Sequence, residues 1–127
     1  MQHWQMMMNQ ANQDFIARDF HSAEYYFLKS ICESNYLLSN WFDSEKAITA
    51  HLCSYHNLAH LLLIQHRHQE AKTLLLQLQD NLNERLNKTH IANKRSLALL
   101  KALESNTMAL KNNFFAEHDY TRDHDLQ

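Results

Sequence analysis

The chain has 127 residues, a formal net charge of −2 and neither glycine nor proline, where average usage would supply roughly nine and six. That length suits one compact domain. The missing glycines argue against hairpin-rich β folds and glycine-rich phosphate loops, both of which need φ > 0 at set positions, and the near-neutral charge offers no basic surface for nucleic acid or an anionic membrane.

Other broad classes are disfavoured on similar grounds. The longest apolar run, Leu61 to Ile64, is far short of a membrane span. The first eight residues lack the basic start and apolar stretch of a secretory leader, so a cytoplasmic location is expected. Cys32 and Cys53 stand at no metal-ligand spacing and read as small hydrophobes, not as a disulfide.

Five helices are predicted in chain order. The first spans about residues 2–17, with Trp4, Met7, Met8, Ala11, Phe15 and Ile16 at three- and four-residue spacing. Arg18-Asp19 is a turn, with Asp19 as N-cap of a second helix carrying Phe20, Ala23, Tyr26, Phe27, Ile31, Tyr36 and Leu37 to about Ser39. The segment around Trp41-Phe42 is a break, after which Asp43 or Ser44 caps a third helix to about Gln65. His66-Arg67-His68 is a tight turn, and Glu70 suits the positive end of a fourth helix over about 68–86. A connection around Thr89 leads to a fifth helix over about 90–112, and residues 116–127, with few apolar groups, read as a flexible tail.

Within the third and fourth helices, Tyr55, Leu58, Ala59 and Leu62 precede Ala71, Leu75 and Leu78. Fainter counterparts are Met8, Ala11, Asn12 and Phe15, followed by Ala23, Phe27 and Ser30. Small residues at such places let two antiparallel helices approach closely, and the pattern resembles a tetratricopeptide repeat. The second unit agrees at every spacing over residues 52–85. In the first, Asp19-Phe20 looks like the family's turn, but the preceding helix fits only if its turn is one residue shorter. Asn35 and Asn83 replace the family's prolines, and Ala23 and Ala71 are 48 residues apart, where the family spaces its units about 34 apart. The resemblance implies an all-α, right-handed array of antiparallel helix hairpins, in one domain over residues 1–115. Its two units cover about 5–38 and 44–86, and the fifth helix acts as a C-terminal cap.

The resemblance also implies a concave groove lined by the first and third helices that docks a peptide or protein partner without catalysis. Carried over by position, Asn9 and Gln13 would line it in the first unit and His56 and His60 in the second, with Met6 and Leu63 adding apolar contact. Carboxamides can hold an extended backbone through paired donors and acceptors, and histidine gains charge near neutral pH. No lysine accompanies Asn9, so a clamp for a peptide's terminal carboxylate is not expected.

Competing expectations are a structural homodimer through Trp41 and Phe42 and a metal or small-ligand site at His56 and His60, whose i, i+4 spacing can chelate zinc. His56 is followed by Asn57, not the glutamate of a metalloprotease motif. No third ligand is evident, so no metal or cofactor is expected. Cys53 with His56 would be a thiolate pair without an oxyanion hole, because amides inside a helix are already bonded.

Overall fold

The computed structural model describes residues 1–40, 44–88 and 94–115. The described residues form five α-helices: α1 (Gln2–Ile16), α2 (Phe20–Asn40), α3 (Ser44–Ile64), α4 (His68–Asn87) and α5 (Lys94–Leu110). A π-helical turn, Lys111–Phe115, continues α5, and no strand occurs among the described residues. The expected caps Asp43 and Thr89, the start of the fifth helix before Lys94, the break at Trp41-Phe42 and the tail 116–127 lie outside the described residues.

Without glycine, the α1–α2 and α3–α4 turns place ordinary residues in the left-handed region, Arg18 at φ 62° and His66 at φ 61°. Each turn closes with the same two bonds. The Arg18 amide donates to the Phe15 carbonyl (3.0 Å) and the Asp19 amide to Asp14 (2.9 Å). His66 donates to Leu63 (3.0 Å) and Arg67 to Leu62 (2.8 Å). These are Schellman closures, in which glycine is the usual occupant of the left-handed position. Asp19 caps α2 as expected, its Oδ1 accepting the Ser22 amide at 3.3 Å. Arg67 precedes α4 and binds both Glu70 in its first turn and Glu24 on α2, which ties the second turn to the first pair of helices.

Because the two turns are built alike, the shorter first turn expected from the sequence is not observed. The ends of α1 and α3, the starts of α2 and α4, the left-handed residues and the small core residues repeat at a single spacing of 48. Ile16 matches Ile64, Arg18 matches His66, Ala11 matches Ala59 and Ala23 matches Ala71. Ala11, not Asn12, is therefore the small residue of α1. It is fully buried, whereas Asn12 is exposed.

Consecutive helices pack on one another, and α3 also meets α1 and α5. Ala59 and Ala71 are buried where α3 and α4 pack, with Tyr55, Leu58, Leu62, Leu75 and Leu78 buried alongside them. The buried side chains of α2 and α3 include Ser30, Ser34 and Ser54. Ser30 and Ser54 donate to the Phe27 and Ala50 carbonyls of their own helices, and the Ser34 hydroxyl has two acceptors within reach, the Ile31 carbonyl at 2.9 Å and His51 Nδ1 at 3.0 Å, so none is buried without a partner. Leu99, Ala102, Leu103 and Leu110 seat α5 on the end of the stack.

Candidate interaction surface

The α1–α3 contact is built from side chains. Trp4 Nε1 donates to Ser54 Oγ at 2.7 Å, Asn57 Nδ2 points at Met8 Sδ at 3.3 Å, and the rings of Phe15 and His60 lie 5.8 Å apart. Residue numbers rise together along both helices, so the two run in the same direction. Trp4, Met8 and Phe15 thus mark the side of α1 that meets α3.

This geometry places the predicted site residues in two groups. Successive helical residues turn by about 100°, so Met6 lies roughly 160° around α1 from Trp4 and Met8. Gln13 lies roughly 140–180° from them and Asn9 roughly 100–140°. All three are exposed, Met6 to 65%. They form the outer face of α1 and turn away from the seam with α3. The sequence-based placement beside that seam rested on a register one residue off, the one the shorter turn would have required.

On α3, His56 and His60 lie along the stripe that faces outward between α1 and α5. His60 is exposed, and Leu63 is half-buried against the core. His56 is half-buried, and its Nε2 lies 3.0 Å from Asn106 Oδ1. That amide's orientation is set by Asn106 Nδ2, which donates to the Leu75 carbonyl (2.9 Å) and to Gln79 Oε1 (2.8 Å). His56 Nε2 is therefore the donor and is spent inside the fold, which lowers its value as a metal ligand. Among the described residues no group of three His, Cys, Asp or Glu side chains could hold a metal ion. Burial pushes the Cys53 thiol up from its ordinary pKa, the opposite of what a nucleophile needs. Trp41 and Phe42, expected at an interface, lie outside the described residues.

Two shallow cavities flank the first half of α3. One of about 400 Å³ lies between α1 and α3, bordered by Met1, Trp4, Glu45 and Thr49. The other, about 240 Å³, lies between α3 and α5 and is bordered by Ile48, Leu52, Leu97 and Ala102. A third, about 350 Å³, opens between α2 and α4 over Leu58 and Leu62 of α3.

Two fully buried polar residues that join helices, His51 and Asn106, are not among the site residues expected from the sequence. His51 is fully buried, with Nδ1 3.0 Å from Ser34 Oγ on α2 and Nε2 3.2 Å from Asn81 Oδ1 on α4. Its ring meets Tyr55 edge-on at 4.8 Å. Burial, with the Arg85 charge nearby, holds its pKa down at about 4 against the Asn81 hydrogen bond, which pulls it up. Asn106, equally buried, joins α3, α4 and α5. The available signal was periodicity: His51 shares a core bearing with Tyr55, Leu58 and Leu62, and Asn106 shares one with Leu99, Leu103 and Leu110.

No helix among the described residues is long and apolar enough to cross a membrane. Neither the curated proteins nor the solved structures provide a match. The family defined as a protein of unknown function (DUF2753) does match, over residues 2–123, and the chain belongs to that family.

Proposed function

We propose that this chain is a non-catalytic interaction module, a short right-handed array of helix hairpins similar to a tetratricopeptide domain, that docks a helical segment of a partner protein on the outer face of α1. The carrying observation is the 48-residue equivalence of the two hairpins. Three side-chain contacts from α3 to the helices before it come from His51, Ser54 and Asn57. Counting back 48 residues gives His3, Met6 and Asn9, all exposed. Gln13 likewise matches the buried Leu61. The outer face of α1 occupies the place that, on α3, receives a preceding helix.

The chemistry of that face agrees. Solvated helix faces ordinarily carry charge, yet Asp14 is the only acidic side chain of α1, which has no lysine or arginine, and Asp14 accepts from Ser22 and Gln10 within the fold. Gln2, Met6, Asn9, Gln13 and Ile16 are exposed and uncharged. Carboxamides offer both donors and acceptors at a smaller desolvation cost than charges, and methionine adapts to irregular apolar surfaces. A cytoplasmic protein partner and no cofactor complete the reading.

A photo-crosslinking residue placed at Asn9, and at Asp80 on the exposed side of α4 as control, tests it in cells. The expected result is a discrete adduct from position 9 that is absent from position 80 and disappears when Met6→Glu is added. Identical adduct patterns from both positions, or an adduct indifferent to Met6→Glu, would overturn it.

A further inference from the structure

The inner side of α5 is spent on the stack through Leu99, Leu103, Asn106 and Leu110. On the outward side, Leu97, Lys101, Glu104 and Met108 follow one another at steps of four, three and four residues, which holds them within an arc of roughly 60°; Leu97 and Lys101 also border the cavity between α3 and α5. Leu97 is 55% exposed and Met108 52%, with Leu100 beside them at 51%. Lys101 and Glu104 are exposed and are not ion-paired with each other or with any other described residue. Leu97, Leu100 and Met108 thus put three large apolar side chains on the solvent side of one helix, with opposite charges between them.

The stripe is also symmetric. Leu97 and Met108 are centred on the same point as Lys101 and Glu104, between Ala102 and Leu103. If a second α5 is laid antiparallel across that point, Leu97 meets Met108 at each end. In the middle Lys101 meets Glu104 twice. The parallel alternative sets Lys101 on Lys101 and Glu104 on Glu104, so charge alone selects the antiparallel pairing. The step pattern of four, three, four is that of helices meshing along a narrow seam.

We propose that this stripe is a self-association surface, through which two copies of the chain pack α5 against α5, antiparallel, about a twofold axis at the level of Ala102 and Leu103. The contact is isologous and closed, so it yields a dimer and not a filament. It involves none of the α1 residues proposed above to dock a partner. One helix on one helix covers less than the roughly 800 Å² per partner of a standard interface. The dimer is accordingly weak, with a dissociation constant on the order of tens of micromolar.

Analytical ultracentrifugation of the full chain from 5 to 300 µM, in low salt, is the test, with circular dichroism confirming an unchanged fold. Glu104→Lys and Lys101→Glu, both at exposed positions, are each expected to weaken self-association at least tenfold. The double exchange Lys101→Glu/Glu104→Lys is expected to return it to within about threefold of the unaltered chain, and an equimolar mixture of the two single variants to form a mixed dimer. A chain that stays monomeric at 300 µM overturns the proposal. So does a dimer indifferent to Glu104→Lys, or a double exchange as defective as either single change.

Discussion

Replacing His51 with glutamine removes the one fully buried histidine among the described residues, and its consequence for pH dependence can be worked from the site. Asn81 Oδ1 accepts from Arg85 Nε at 3.1 Å and also faces His51 Nε2. Nε2 must therefore carry a hydrogen, which in the neutral ring leaves Nδ1 to accept the one hydroxyl hydrogen of Ser34, turned to it from the Ile31 carbonyl. Adding a second proton at Nδ1 would place a full positive charge in a fully buried ring near the Arg85 guanidinium. The folded chain resists that proton down to about pH 4, whereas an unfolded histidine accepts it near pH 6.5.

Between those values the unfolded chain binds more protons than the folded one, so stability falls as pH falls. His51's contribution is whole above pH 6.5, declines through the interval and levels off below about pH 4. The full loss is about 3 kcal/mol, from a depression of about two and a half pH units at 1.36 kcal/mol each. The assay is urea unfolding of the native chain and His51→Gln at pH 7.5, 6.5, 5.5 and 4.5. The difference in unfolding free energy between them should shift by 2–3 kcal/mol against the native chain across that range (~1.36 kcal/mol per pH unit). Histidines outside the site cancel in the difference. A difference constant to within about 0.5 kcal/mol, or an NMR titration placing the His51 ring at or above pH 6.5, would refute the argument. The NMR measurement needs no variant and holds even if His51→Gln folds poorly.

Three further outcomes follow from the packing. Arg18→Gly and His66→Gly relieve left-handed backbone at φ 62° and 61°, so each should stabilise by about 0.5–1 kcal/mol, net of glycine's greater freedom when unfolded, read as a rise in thermal midpoint. Asn106→Ala deprives His56 Nε2, the Leu75 carbonyl and Gln79 of their shared partner and should cost about 2–4 kcal/mol in chemical denaturation. Ala71→Leu inserts three carbons at a fully buried point where α4 meets α3; it should cost at least about 2 kcal/mol, while Leu76→Ala on the exposed side of the same helix should stay within about 0.5 kcal/mol.

Much of the fold was legible because the apolar periodicity is strong and the turn residues are polar. The ends of α1, α2, α3 and α4 fall within a residue or so of the expected places, and Ala59 and Ala71 occupy the interior as the pattern required. The register of the first hairpin was not legible. Its turn uses Arg18, a residue with no preference for left-handed backbone, so nothing in the letters marked that position as equivalent to His66. A one-residue shift on a helix turns every side chain by about 100°, enough to move Asn9 and Gln13 from a seam to an outer face. Of the predicted site, His56, His60 and Leu63 share one side of α3, with only His60 exposed, but the internal bond that occupies His56 depends on Asn106, 50 residues further on, and no local pattern encodes it.

His51 and Asn106 also bear on why the helices stack in one register. Alanine, serine and leucine faces tolerate sliding, since neighbouring turns of such helices offer similar shapes. A buried polar group does not, because a displacement of one turn leaves it unpaired at a cost of about 1–3 kcal/mol. Ser34, His51 and Asn81 bind α2 to α3 and α4, and His56, Asn106 and Gln79 bind α3 to α5 and α4. Every buried side-chain nitrogen and oxygen among the described residues has a partner, so these links specify alignment without leaving an unpaired group behind. The same reasoning separates the two open faces. On α1, His3, Met6 and Asn9 stand exposed where α3 carries such registering groups, and in the proposed function a docked partner would supply the alignment. The outer stripe of α5 carries its own registering charges, Lys101 and Glu104, arranged to be satisfied by themselves in reverse.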